Sequence, residues 1–229
     1  ETSERTLKKI VIHAADPKAT ASAFQPAHAI ADGVALARDL VNEPANVLGP
    51  AEFAGRVKAL TKLGVRVDVL GPAALRKLRM NALLAVGQGS VRPSHVVVMQ
   101  WKGAGAKGGA PIAIVGKGVT FDTGGISLKD PAAMDEMKYD MSGAAAVIAA
   151  LAVAAELKLK LNVVGLVPAC ENMPSGRAIK PGDIVTSSAG HTVEILNTDA
   201  EGRLILSDAL HYARRFKPAA LIDVATLTG

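Results

Sequence analysis

The stretch NTDAEGRLILSDAL, Asn197 to Leu210, decides how this chain is read. It sets Asp199, Glu201 and Arg203 at alternate positions just before an amphipathic, helix-patterned run. In extended backbone, residues two apart point to the same side, so both carboxylates and the guanidinium can face one site. On a helix they would diverge, since neighbours there lie three or four apart. Two acids and an arginine converging beside a helix start suggest a metal site with an anion-handling group. A plainer alternative stands beside it: Thr198-x-x-Glu201 is also a capping box before an apolar run. This segment alone does not separate the two.

The segments upstream add weight to the first reading. Ile112-Ala113-Ile114-Val115 is short, β-branched and followed by Gly116, which predicts a buried strand. It runs into GKGVTFDTGG, read as a glycine-rich turn. A phosphate loop would need Gly where Pro111 stands and Ser or Thr after Lys117, so that reading fails twice. Lys117 and Asp122 follow this strand, and Thr226 and Leu227 end the last one; open α/β sheets place their sites at such carboxyl ends. Asp140 precedes an Ala-rich helix, where an acid also serves as a cap or dipole partner. Together, Asp122, Asp140, Asp199 and Glu201 would be four carboxylates in one apolar crevice. Such a cluster does not stay ionised without cations. Two divalent ions would neutralise it, and metals about 3.5–4 Å apart are a recurring device for activating water.

Around these segments, strands alternate with helices. Strands are expected at residues 9–13, 66–70, 96–101, 112–115, 161–167 and 219–225, with a turn-rich pair of short ones in 182–195. Helices are expected at 27–42, with Pro26 near its start, and at 51–63, 73–80, 142–157 and 204–216. Most strands are apolar throughout, which argues for α/β architecture: a mostly parallel, mixed sheet sandwiched between helices.

Composition sets bounds on function. At 229 residues and 49% hydrophobic, the chain can bury a large core. A net charge of +5 with scattered Lys and Arg does not argue for a nucleic-acid surface. The one cysteine, Cys170, lies in the apolar run NVVGLVPAC and reads as a buried structural thiol, which fits a reducing compartment. No signal peptide and no membrane-spanning run are expected. His13, His28, His95, His191 and His211 show no paired ligand spacing and read as structural or surface residues. The first residue is Glu, so the chain is expected to be an excerpt or a processed product.

NTDAEGRLILSDAL together with VGKGVTFDTGGISLK closely resembles the leucyl aminopeptidase (cytosol aminopeptidase) family of two-metal exopeptidases. The likeness runs in register from LARDLVNEPANVLGP, beginning at Leu36, through VGQGS, MKYDMSGAAAV and VPACENMPSG to the closing VATLTG. Residues 1–29 resemble only the tail of that family's N-terminal domain or linker. Residues 30–229 resemble its catalytic domain, which normally continues past this point and closes one wall of the substrate pocket.

The resemblance implies that Asp122 and Glu201 bridge two divalent metals, Zn or Mn with Co or Mg as alternatives. Asp199 would complete the exchangeable site, and Lys117 and Asp140 the tighter one. Water or hydroxide between the metals would attack the peptide. Lys129 would stabilise the developing oxyanion, and Arg203 would hold a bicarbonate-like general base. Asn197, Ala200, Gly202 and Leu227 would border that anion and the substrate, while Met137, Thr226 and Gly229 would line the pocket for the residue removed. Peptides with a free amino terminus, a cytoplasmic location and a homo-hexamer of the full-length protein are further implications. The competing readings are a nucleic-acid-binding regulator on the same scaffold, or an assembly-only fragment without activity.

Overall fold

The computed structural model describes residues 8–105 and 108–228. In chain order they form α1 (Pro17–Asn42), α2 (Pro50–Val57) running into a 3₁₀ turn (Lys58–Leu63), β1 (Arg66–Leu70), α3 (Pro72–Lys77), α4 (Asn81–Gly87) and β2 (His95–Lys102). There follow β3 (Ile112–Gly116), β4 (Gly118–Asp122), a 3₁₀ turn (Met134–Tyr139), α5 (Ser142–Glu156) and β5 (Asn162–Asn172). The hairpin β6 (Ile184–Thr186) and β7 (Thr192–Glu194), then α6 (Glu201–Ala213), a 3₁₀ turn (Arg214–Phe216) and β8 (Ala220–Val224) complete them.

The main sheet has the order β1-β2-β5-β3-β8, with β4 pairing the far end of β5. The pairings β3/β5, β4/β5 and β3/β8 are parallel, while β1/β2 and β2/β5 are antiparallel. The sheet is therefore mixed and mostly parallel, as expected. The eleven-residue β5 is its spine and is almost wholly buried. Because side chains alternate along a strand, Val164 and Leu166 join Val96 and Val98 in the core under α3, α4 and α6. Val163 and Val167 join Val97 and Met99 in a second core with Phe53 and the α5 residues Val147, Ile148 and Leu151. Full burial of a side chain such as Phe53 is worth about 1.5–3 kcal/mol relative to leaving it exposed.

Several boundaries differ from expectation. Residues 9–13 form no strand; Ile10, Val11 and Ile12 are exposed in irregular chain. α1 starts ten residues before position 27, where Asp16 caps the backbone N–H groups of Lys18 and Ala19 and Pro17 opens the helix. Pro26 thus lies inside it. GKGVTFDTGG is largely the buried strand β4, whose Val-Thr-Phe centre is masked by flanking glycines. α4 has no counterpart among the expected elements. β8 is an edge strand, exposed along its whole length. Met134–Glu156 is long and apolar enough to cross a membrane by composition, contrary to expectation, but 67% of its apolar window is buried in this fold and it begins as a separate 3₁₀ turn.

Candidate metal centre

Lys117 occupies the break between β3 and β4, at the position that faces Pro168 of β5. Proline has no N–H to donate to a ladder. The Lys117 backbone instead donates to Val224 O (3.0 Å) of β8 and accepts from Ala144 N (2.9 Å) in the first turn of α5. This interruption turns the side chain toward the carboxyl edge of the parallel strands. Asp122 ends β4, Asp140 precedes α5, and Glu201 opens α6.

Lys117 is 3% exposed. Its Nζ lies 2.8 Å from Asp140 Oδ1 and 2.8 Å from Glu201 Oε1, and donates to Thr226 O at 2.7 Å. Lys129 Nζ lies 3.0 Å from Asp122 Oδ2 and against Asp199 Oδ1. The two triads adjoin: one carboxylate oxygen each from Asp122, Asp199 and Glu201 lies within 4.8 Å of the others. Four carboxylates against two ammonium groups leave a formal charge of −2. The two lysines therefore supply part of the neutralisation that the sequence argument assigned wholly to metals.

Burial favours a neutral Lys117, but the charges of Asp140 and Glu201 outweigh it and raise its pKa above the ordinary lysine value. Burial pushes the Asp140 carboxyl up to about 7 despite Lys117. Burial, then the charge of Asp122, raises Glu201. Three buried oxygens, Asp140 Oδ2, Asp199 Oδ1 and Glu201 Oε1, have no partner in hydrogen-bond geometry. For the last two, the neighbouring ammonium is close enough for charge pairing but poorly aligned. Unsatisfied carboxylate oxygens within a cluster of acids suit an oxygen-ligated cation. The donor set of carboxylates plus one lysine nitrogen fits a divalent metal centre.

Thr198 is no helix cap: its hydroxyl donates to Gly124 O (2.6 Å) and accepts from Ser127 N (2.8 Å). Asp140 does not cap α5 either; its Oδ1 accepts from Thr226 Oγ1 at 2.8 Å. The extended geometry assumed for residues 199–203 does not hold, because α6 begins at Glu201. Two helical steps turn a side chain by about 200°. Arg203 is accordingly exposed and forms no ion pair among the described residues, while Asp199 and Glu201 converge.

Of the remaining expected positions, Asn197 Oδ1 accepts from Asp199 N at 2.8 Å and fixes that turn. Gly202 is packed so closely that a Cβ would meet Lys117 Cε and Nζ at 2.9 Å and Leu227 Cδ1 at 2.8 Å. Ala200 is half-buried beside it, and Met137 is half-buried on the 3₁₀ turn before Asp140. Gly229 lies outside the described residues. Nothing in the spacing singles out Asn172, which is 2% exposed and donates to both Asp122 Oδ1 (2.9 Å) and Thr198 O (3.0 Å). A polar residue ending a buried apolar strand was its only sequence signal. Cys170 is buried with a raised thiol pKa, as expected of a structural cysteine. A second cluster, His28 with Asp32 and Glu156, is exposed on α1 and α5, as a solvated helix face would be.

The profile of the cytosol aminopeptidase family, catalytic domain, matches residues 35–229. A probable cytosol aminopeptidase of Chelativorans sp. (strain BNC1) is 59% identical over 97% of this chain and 45% of its own length. One of Caulobacter vibrioides (strain ATCC 19089 / CIP 103742 / CB 15) is 53% identical over 100% of the chain and 48% of its own. Among solved structures, the bottromycin maturation enzyme BotP superposes with a TM-score of 0.84 at 43% identity, over 94% of this chain and 45% of that one. The same enzyme in complex with Mn gives 0.85 at 43% identity, over 94% of this chain and 47% of that one. The chain thus spans about half the length of the relatives it matches.

Proposed function

The chain belongs to the cytosol aminopeptidase family, and from that premise we propose that it carries the catalytic centre of a metal-dependent aminopeptidase that removes the N-terminal residue of peptides. One observation carries the reading: Asp122, Asp199 and Glu201 bring their oxygens within 4.8 Å of one another, beside Lys117 and Asp140. In this proposal Asp122 and Glu201 would serve both of two divalent ions, Asp199 would complete one site, and Lys117 with Asp140 would complete the other. Bound there, the pair of ions would supply an activated water and a Lewis acid for the scissile carbonyl. Zn or Mn is the expected metal, and the Mn complex of the BotP neighbour supports a divalent ion.

The chain's own residues then have distinct tasks. Lys117 must give up its proton to act as a ligand, because an ammonium has no lone pair. Its raised pKa reflects the acids around it, and nearby dications reverse that field. Lys129 donates to the carbonyl oxygen as it gains charge, a role suited to its position against Asp122 and Asp199. Arg203, exposed on the first turn of α6, holds a bicarbonate-like base next to Ala200, Gly202 and Leu227. Met137 and Thr226 line the pocket for an apolar side chain. Residues 30–229 would be the catalytic domain, with residues before 30 the tail of a preceding one. A cytoplasmic homo-hexamer is the assembly expected of the whole protein.

The test is hydrolysis of leucine amide with and without added Mn²⁺ or Zn²⁺, set against a salt-dependent DNA shift. Activity abolished by chelator and restored by metal supports the proposal. DNA binding without metal-dependent hydrolysis would replace it with the regulatory reading.

A further inference from the structure

We propose that Asn172 is a positioning residue that sets the spacing between Asp122 and Asp199 and thereby the affinity of the centre for divalent cations; this rests on the functional reading above. Asn172 is the last residue of β5 and is 2% exposed. Its amide nitrogen carries two N–H groups. One is directed to Asp122 Oδ1 at 2.9 Å, the other to Thr198 O at 3.0 Å. Asp122 belongs to the end of β4, and Thr198 immediately precedes Asp199 in the loop before α6. One rigid, planar group therefore joins the two segments that carry the facing acids.

The backbone that carries the amide is itself held in place. Thr123 N and Thr123 Oγ1 both donate to the main-chain carbonyl of Asn172, at 3.0 and 2.8 Å. On its oxygen side the amide abuts Gly125, where a Cβ would stand 2.8 Å from Asn172 Oδ1. The contact also decides which oxygen of Asp122 is free. Oδ1 is taken by Asn172 and by Gly124 N (2.9 Å), so Oδ2 faces Lys129 and the cluster. Ser127 and Thr198 stitch the same two loops together through reciprocal bonds, but neither donates to a carboxylate. Groups that orient a ligand in this way typically govern metal affinity by about 10–100-fold.

The experiment titrates Mn²⁺ into the protein and its Asn172→Ala variant against a chromogenic chelator, then repeats both in an Asp122→Ala background. The expected result is an Mn²⁺ dissociation constant about 10–100-fold weaker in Asn172→Ala, with little further change when Asp122 has already been replaced. Parental affinity in Asn172→Ala would overturn the proposal. So would an equal loss in both backgrounds, which would make Asn172 a general loop clamp. If Asn172→Ala lacks a cooperative melt, Asn172→Ser is read by the same criteria, and loss of folding in both overturns positioning in favour of a structural role. Failure of the parent to bind Mn²⁺ at all would instead defeat the functional reading itself.

Discussion

Gly202→Ala probes the contact on which the centre depends most closely. Gly202 lies buried in the first turn of α6, and an added Cβ would stand 2.9 Å from Lys117 Cε and Nζ, against 3.4 Å for ordinary contact. Lys117 would have to retreat by at least about 0.5 Å, taking that difference at face value. It has little room to do so, being held by Asp140, Glu201 and the Thr226 carbonyl. Overpacking of this kind costs about 1–3 kcal/mol. Alanine at a helical position returns about 1 kcal/mol, so the net destabilisation is about 0–2 kcal/mol. For a chain of this length that is a fall in Tm of about 0–8 °C. The effect on turnover should be larger, since a misplacement approaching 1 Å can cost about 10²-fold. Gly55→Ala is the internal control: it lies in α2 with nothing within 4 Å of its Cβ position, so propensity alone should stabilise it by up to about 1 kcal/mol. Thermal melts with and without Mn²⁺, paired with leucine amide hydrolysis, read both effects. A Gly202→Ala protein as stabilised as Gly55→Ala and fully active would refute the close approach to Lys117.

Lys129→Ala should keep its metals and lose about 10²–10³ in turnover, whereas Arg203→Ala should be milder because water partly replaces the anion it holds. Equal loss of metal content and activity in Lys129→Ala, measured by elemental analysis, would make that lysine a structural support. Asp208→Ala strips the acceptor from Leu83 N (3.0 Å) and Ser188 N (2.7 Å), both bonded to a fully buried carboxylate. At about 1–3 kcal/mol for each stranded donor, the melt should fall sharply while Mn²⁺ affinity per folded molecule stays unchanged; a Tm matching the parent would contradict this. Mn²⁺ affinity should weaken as pH falls through about 7, because Asp140 titrates there and the protonated acid cannot bind metal. The raised pKa of Lys117 adds a proton released on loading. Calorimetric heats that do not depend on the buffer's ionisation enthalpy would count against that release.

The order of helices and the buried strands was legible because their periodicity is strong: β1, β3 and α5 fall within a residue of expectation. β4 was not, since the glycines around Val119-Thr120-Phe121 hide a short buried strand that pairs with β5. α1 gave its true start in Asp16-Pro17, but Pro26 is the louder local signal and misled. For the centre, the sequence supplied the residue types and the structure supplied the partners. Asp199 and Glu201 converge through a turn and a helix start, not through the extended backbone that alternate spacing suggested, and Arg203 is exposed rather than buried with them. The lysine pairing of all four acids was equally hidden. Those partners come from the break between β3 and β4, the end of β4, the loop after Asp122, the turn before α5 and the start of α6, and no local pattern brings such segments together.

The central claim is that two divalent cations share this cluster. Anomalous scattering from crystals saturated with Mn²⁺ or Zn²⁺ tests it most directly. A pair of peaks within about 4 Å of each other is expected, framed by Lys117, Asp122, Asp140, Asp199 and Glu201. A single peak there at saturating metal, or scattering that settles on another part of the chain, would contradict it.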